Sequence, residues 1–238
     1  MSSLIVDDLF CAGSLVMSSS IEHPYYLVNN YYNIGYYKRV FFPFDRSLGK
    51  KKSKVILFLA WFHDDSPSPI LSTEFIESYF KYVSAVADRY PDYQIFIRPK
   101  DISRFDKILW NNLIDGKYNV YLQDDFSTEA ISYSLCFEAD LIISIPTSLA
   151  EESISIGKKV IFLDNFLTIK HVSSSTYPKE YYDFIASDFD DLLFKASLFL
   201  NDDTNYLSLH ENLKNQLTGD FDMRNKGDIS ILIENFLV

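Results

Sequence analysis

The segment from Pro146 to Glu152 holds the residues best suited to chemistry. Thr147 and Ser148 follow an apolar run, and their hydroxyl side chains are of the kind that caps a helix, while Pro146 keeps this turn out of the preceding strand. The first N–H groups of a helix starting here would point outward and attract a phosphate. Glu151 and Glu152 fall in the predicted first turn, where a carboxylate also interacts favourably with the helix dipole. The segment therefore predicts an anion site at a helix start.

Positive charge is predicted at the end of another strand, at Arg98 and Lys100. Arg98 is the stronger candidate because its planar fork can bind a phosphate with two hydrogen bonds. A solvated loop end is the alternative interpretation of both residues.

His63, Asp64 and Asp65 follow an earlier apolar run. Adjacent residues in a loop rarely converge on one ion, so no metal site is expected. His63 is instead a candidate general base, because the pKa of an imidazole lies near neutrality. Cys136 falls on a helix face that the pattern predicts to be buried, and no Gly-x-Ser-x-Gly elbow is present.

Alternating strands and helices must position these residues. The spacing of apolar residues predicts an α/β, Rossmann-like domain: a parallel sheet of about six strands with right-handed crossovers and a helical C-terminus. Ligands of such sheets bind beyond the carboxyl ends of the strands. Strands are predicted at 55–60, 93–97, 118–122, 140–144 and 159–163, with a weaker one at 182–186; helices are predicted at 72–89, 101–113, 127–138, 148–156, 188–200, 204–217 and 228–237.

Composition divides the chain and excludes several functions. Residues 1–53 comprise an aromatic-rich segment without a sustained period and a basic linker, and residues 54–238 form the main domain. The seven glycines include no G-x-G, which excludes a dinucleotide fingerprint and a P-loop. The net charge of −11 argues against nucleic-acid binding. Two cysteines fit a reducing cytoplasm, and no apolar run is long enough for a membrane span.

The run Glu152-Ser-Ile-Ser-Ile-Gly157-Lys158-Lys159-Val-Ile resembles the nucleotide-binding half of GT-B glycosyltransferases, where a helix ends in Glu-x-x-x-x-Gly-Lys-x-Val-Ile. The likeness extends over residues 54–238 and is greatest to the Kdo-transferase-like and CDP-glycerol-transferase-like groups of surface-polysaccharide enzymes. It implies that Glu152 hydrogen-bonds the ribose hydroxyls. It also implies that Thr147 and Ser148 meet the phosphates or the sugar.

Three departures from the family pattern qualify this resemblance. Ser144 stands where the retaining branch carries a second Glu. The family's Lys/Arg-Pro-His-Pro-like element reads Ile97-Arg98-Pro99-Lys100, without the His. Residues 1–53 are too few for the first domain of a two-domain GT-B enzyme, so the resemblance implies a fragment, a degenerate member or one half of a two-chain enzyme.

The resemblance implies a glycosyltransferase, or its donor-binding domain, that works without metal or cofactor in bacterial surface-polysaccharide assembly. Its partners would be a nucleotide-sugar, a glycan acceptor and a separate N-terminal GT-B domain, in the cytoplasm or peripherally at the inner face of the membrane. A second resemblance is to non-hydrolysing UDP-GlcNAc 2-epimerases, whose double acid matches Glu151-Glu152 but whose Gly-Gly is replaced by Pro146-Thr147. A non-catalytic interaction module is the third alternative.

Overall fold

A computed structural model describes residues 4–11, 26–33, 54–60, 73–99, 111–112, 114–123, 129–145, 147–163 and 179–217. The strands are β1 Leu4–Cys11, β2 Tyr26–Asn33, β3 Lys54–Ala60, β4 Tyr93–Pro99, β5 Val120–Leu122, β6 Leu141–Ser144, β7 Val160–Leu163 and β8 Ile185–Ala186. The helices are α1 Thr73–Arg89, α2 Glu129–Glu138, α3 Ser148–Ser155, α4 Phe189–Leu200 and α5 Thr204–Leu217, with a 3₁₀ helix at Lys179–Phe184.

The main sheet has six parallel strands in the order β5-β4-β3-β6-β7-β8. The chain first builds outward from β3 to β5 and then returns through α2 to place β6 on the other side of β3. The order therefore reverses between β3 and β6, which is the position where open α/β sheets bind ligands. In register, Leu59 of β3 lies between Arg98 of β4 and Ser144 of β6.

The core lies on both faces of this sheet. Strand β3 is buried from Val55 to Ala60, as expected for a central parallel strand covered by helices on both sides. Right-handed crossovers that run in opposite directions along the sheet put α1 and α3 on opposite faces. Helix α4 packs on α1, where the rings of Tyr82 and Phe189 lie 4.2 Å apart, and α5 packs on α3.

The predicted elements of this sheet are confirmed, with three local differences. The predicted strand 182–186 is wrong for most of its length: a 3₁₀ helix runs to Phe184, and only Ile185–Ala186 pair with β7. Strand β4 is longer than predicted and continues to Pro99. Its pairing with β5 ends at Ile97, but its pairing with β3 extends to Pro99. Strand β5 is shorter than predicted, because its pairing with β4 starts at Val120. The predicted helix 228–237 and most of 101–113 lie outside the described residues.

Strands β1 and β2 form a separate two-stranded parallel sheet, from Leu4 opposite Tyr26 to Cys11 opposite Asn33. The sequence predicted no element in this region, since its aromatic residues follow neither a helical nor a strand period. The division of the chain at residues 53 and 54 stays a prediction.

Candidate functional site

Helix α3 begins at the carboxyl end of β6, as the sequence predicts. Thr147 is its N-cap: its backbone is extended, with φ −145° and ψ 151°, and its Oγ1 accepts a hydrogen bond of 3.3 Å from the amide of Ala150. Thr147 is partly exposed and Ser148 is exposed, so both are within reach of a ligand at this edge. Of the two cap candidates, Thr147 is therefore the one that fixes the helix start.

Glu152 lies deeper than the sequence predicts. Only Glu151 falls in the first turn of α3, and Glu152 belongs to the second turn because the helix starts at Ser148. Its side chain is only 6% exposed, and the phenol of Tyr133 on α2 donates a 2.5 Å hydrogen bond to its Oε2. An exposed, dipole-stabilising role thus remains suitable for Glu151, which is partly exposed, but not for Glu152.

Arg98 is buried as well, so its interpretation as a solvated loop end is wrong. The residue is 6% exposed, and its Nε donates a 3.0 Å hydrogen bond to Ser132 Oγ on α2. Its Nη1 lies 3.5 Å from the carbonyl of Gln123, just beyond β5. The guanidinium is therefore held in a fixed orientation near the carboxyl end of β4.

The pKa of buried Cys136 on α2 is influenced by several of these charged groups. Burial raises the pKa of the Cys136 thiol to about 12, while a hydrogen bond with Ser153 lowers it. The charge of Glu152 raises the same pKa, and the charges of Lys158 and Arg98 lower it. A thiol with such a pKa is protonated near neutrality, so Cys136 is a packing residue, as its predicted buried helix face indicates.

Helix α3 ends in a Schellman motif. Gly157 has a φ of +84°, its amide donates to the carbonyl of Ile154, and the amide of Lys158 donates to that of Ser153. Gly157 is thus the residue after the C-cap, the position where glycine is favoured at helix ends.

The two lysines that follow Gly157 bind carbonyl oxygens at helix ends. Lys158 Nζ donates to the carbonyls of Phe137 and Ala139, at the end of α2. Lys159 Nζ donates to the carbonyl of Phe199 at 2.7 Å, near the end of α4, and lies 2.6 Å from Asp202 Oδ1. Both lysines therefore have a structural role that the sequence did not reveal, although cations are favoured at helix C-termini.

Ser144 fills the space beside the helix start. It is buried, its hydroxyl donates to the carbonyl of Ile145, and it lies 3.4 Å from Thr147 Oγ1. A short hydroxyl therefore occupies the position where the retaining pattern has a Glu.

His63, Lys100 and Pro146 lie outside the described residues, so their predicted roles stay predictions. Within the described ranges no three His, Cys, Asp or Glu side chains come together in a way that could hold a metal ion. In the same part of the chain no helix combines the length and the apolar character needed to cross a membrane.

Ser132 and Tyr133 are the site residues that sequence reasoning missed. A helix was predicted over 127–138, and both residues fall within it, but their partners are 34 and 19 residues away in the sequence. Only the packing of α2 on β3 and α3 brings these two residues within reach of Arg98 and Glu152.

The strand order defines a Rossmann-like domain, and Arg98 lies beside its switch point, the place where ligands of such sheets bind. Structural comparison finds this fold in the wall teichoic acid polymerase TagF, with a TM-score of 0.58 and 16% identity over 96% of this chain and 57% of that one. It finds it also in S. aureus MnaA with UDP, with a TM-score of 0.56 and 13% identity over 94% of this chain and 58% of that one. A UDP-GlcNAc 2-epimerase from Neisseria meningitidis, bound to UDP-GlcNAc, has a TM-score of 0.51 and 19% identity over 84% of this chain and 48% of that one.

These likenesses confirm the predicted GT-B-type fold. No protein-family model and no curated protein sequence matches the chain. The chain spans about half the length of the solved structures that it resembles, 48–58% in the three above.

Proposed function

We propose that this chain binds a nucleotide-activated sugar and supplies the donor half of a glycosyltransferase in bacterial surface-polysaccharide assembly. One observation carries the proposal: two oppositely charged side chains, Arg98 and Glu152, are buried and hydrogen-bonded beside the switch point of the sheet. Burying charged groups is costly, so such groups in a ligand-binding position are functional candidates. The TagF polymerase and the UDP-bound structures share the fold.

In this proposal the donor phosphates lie over the start of α3, at Pro146, Thr147 and Ser148. The helix N-terminus and the cations Arg98 and Lys100 stabilise the negative charge that develops on the leaving group, with no metal or cofactor required. Glu152 accepts hydrogen bonds from the ribose hydroxyls, because an ionised carboxylate is an acceptor only. Glu151 borders the same helix start, and His63 is the candidate for the general base.

The structural neighbours are about twice as long as this chain, which supports the proposal that a further domain is needed for activity. We infer that a second GT-B domain, on a separate chain or a longer one, completes the cleft and contributes the groups that bind the glycan acceptor. The reaction would take place in the cytoplasm, where nucleotide-sugars are present, or at the inner face of the membrane with the chain bound peripherally.

Calorimetric titration of the full chain with CDP, UDP and CMP tests this proposal. We expect at least one of these nucleotides to bind, and Glu152→Gln to weaken it at least about tenfold, since a hydrogen bond to a charged group is lost. Arg98→Lys keeps the charge but loses the fork, so it should bind less tightly than wild type and more tightly than Arg98→Ala.

Glu77→Gln is the matched control, because Glu77 is an exposed carboxylate on α1, across the sheet from α3. It should bind the nucleotide as wild type does. No binding by the folded wild-type chain at millimolar nucleotide would overturn the proposal and leave the non-catalytic interaction module as the remaining alternative.

An epimerase is the second candidate, because the Glu151-Glu152 pair and the likeness to a UDP-GlcNAc 2-epimerase both fit it. Incubation with UDP-GlcNAc and no acceptor separates the two activities. Appearance of the 2-epimer or release of UDP, followed by NMR, would favour the epimerase; unchanged UDP-GlcNAc together with nucleotide binding would favour the transferase half.

A further inference from the structure

Helix α2 connects the two halves of the sheet both covalently and through side chains. It carries the chain from β5, at one edge, back to β6, across the switch point. Two consecutive residues in its middle reach the two candidate ligand-binding groups. Ser132 accepts from Arg98, which belongs to the β3–β5 half, and Tyr133 donates to Glu152, which belongs to the β6–β8 half.

Consecutive positions on a helix point about 100° apart, so one helix can hold partners on two different elements. The contact of Tyr133 with Glu152 has a donor–acceptor distance of 2.5 Å and lies between two side chains that are 7% and 6% exposed. A hydroxyl that donates to an ionised carboxylate in such a place makes a strong, charge-assisted hydrogen bond. Anchoring one carboxylate oxygen also fixes the rotation of the carboxylate plane and hence the direction of the second oxygen.

The contact of Ser132 with Arg98 acts in the same way on the cation. Its distance of 3.0 Å is that of a normal hydrogen bond, and it is made by Nε, the nitrogen closest to the side-chain stem. Because the guanidinium is planar, holding Nε fixes the plane in which the two terminal nitrogens lie. Ser132 and Tyr133 thus orient a cation and an anion from a single helical turn.

We propose that Ser132 and Tyr133 are positioning residues of the nucleotide site, with Tyr133 responsible for discrimination between ribose and deoxyribose and Ser132 for phosphate affinity. This inference rests on the proposed function. Precise orientation of a binding group depends on the residues that hydrogen-bond to it from behind, and loosening that support weakens only the interactions that the group itself makes.

The test compares ligands as well as variants. Using UDP, or CDP if it binds more tightly, the affinity of each variant is measured by calorimetry for the ribonucleotide and for its 2′-deoxy form. We expect the wild type to prefer the ribonucleotide, and Tyr133→Phe to lose about tenfold on the ribonucleotide with little loss on the deoxy form. Ser132→Ala should weaken the diphosphate relative to the nucleoside and leave the ribose preference unchanged.

Tyr206→Phe is the matched control, since it removes another buried tyrosine hydroxyl, one that donates at 2.8 Å to the carbonyl of Asp183 on the 3₁₀ helix. It should alter thermal stability and leave both ligand ratios unchanged. Circular dichroism confirms that each variant is folded. If Tyr133→Phe unfolds the chain, Tyr133→Leu removes the same hydroxyl without adding volume to the buried site, and its ribo-to-deoxy affinity ratio is measured instead.

The possible results distinguish a failure of the positioning roles of Ser132 and Tyr133 from a failure of the proposed nucleotide binding. If the wild type binds nucleotide but Tyr133→Phe loses equal affinity for the ribo and deoxy forms, Tyr133 is merely structural and the inference fails while the donor site stands. The same holds if the wild type binds both forms equally. If the folded wild type binds no nucleotide, the proposed function fails and the inference fails with it.

Discussion

The two ends of the strand–helix–strand segment around α3 are built for different purposes. At its beginning, Thr147 and Ser148 are at least partly exposed at the edge of the sheet where ligands bind. At its end, Gly157 shapes a Schellman turn, and Lys158 and Lys159 bind carbonyl oxygens of neighbouring elements. One continuous sequence motif therefore combines a candidate binding end with a structural end, and likeness to the motif as a whole does not make each of its residues a ligand contact.

This difference predicts that substitutions at one end of α3 change the free energy of unfolding, whereas those at the other end change nucleotide affinity. Changes at the end of α3 should reduce the free energy of unfolding and leave nucleotide affinity unaltered in the molecules that remain folded. Changes at its beginning should act on affinity.

The largest effect is expected at low pH, from His210 on α5, which packs on the end of α3. Burial lowers the pKa of His210 to about 4. The charges of Lys214 and Lys159 lower this pKa a little further, while the charge of Glu211 and a hydrogen bond with the Lys158 backbone raise it. Its Nε2 is buried and has no hydrogen-bond partner among the described residues. The imidazole is therefore neutral in the folded chain at pH 7.

A folded-state pKa below the unfolded value of about 6.5 means that the unfolded chain binds the proton more readily. The stability that comes from the neutral imidazole is complete above pH 6.5 and decreases as the pH falls towards 4. At most about 3 kcal/mol should be lost in this range, measured by urea denaturation at each pH. In His210→Leu the loss of unfolding free energy that this imidazole causes between pH 6.5 and pH 4 should disappear. Parallel pH curves for the two proteins would show that other groups account for the acid sensitivity.

The second effect is expected at Lys158, whose Nζ binds two carbonyls and lies 4.9 Å from the centre of the Phe137 ring. Lys158→Met keeps the long apolar stem but removes the ammonium group, so the carbonyls at the end of α2 lose their charged partner. We expect a loss of about 2 kcal/mol in the free energy of unfolding. Nucleotide affinity below the melting temperature should be unchanged. A variant with wild-type stability and weakened nucleotide binding would contradict the structural role.

The sequence predicted the features that depend on local contacts and missed those that depend on contacts between distant residues. Periodicity and capping chemistry located α5 at 204–217 and the start of α3 at Thr147–Ser148, because each of these depends on residues a few positions apart. The burial of Arg98 and Glu152, and the partners Ser132 and Tyr133, depend on how α2 crosses the sheet. Residue spacing carries no information on such contacts, so the sequence identified the charged groups but not what holds them.

A smaller effect is expected at Gly157, which sharpens the comparison because it involves the backbone alone. At a φ of +84° a side chain is strained, although among the described residues a Cβ there would meet only Lys214, at 3.8 Å, an ordinary contact. Gly157→Ala should therefore cost about 1 to 2 kcal/mol of unfolding free energy from backbone strain rather than from a clash. Gly157→Asn should cost less, since asparagine tolerates the left-handed region better. Equal losses in the two variants would point to crowding against α5 instead.

The smallest stability effect, and the one that most directly challenges the comparison, is expected at Thr147. Thr147→Ala removes the Oγ1 that accepts from the Ala150 amide, which should lower the free energy of unfolding by about 1 kcal/mol. Because the same residue is a candidate phosphate contact, nucleotide affinity should fall as well, and Thr147→Ser should restore both quantities by restoring the hydroxyl. Thr147→Asp would keep the cap, since aspartate is a good N-cap residue, but it would place a negative charge beside the phosphate. Wild-type stability together with lost nucleotide affinity in Thr147→Asp would establish that the start of α3 binds the anion. Undiminished affinity in that variant would mean that the capped helix start, like its other end, is structural.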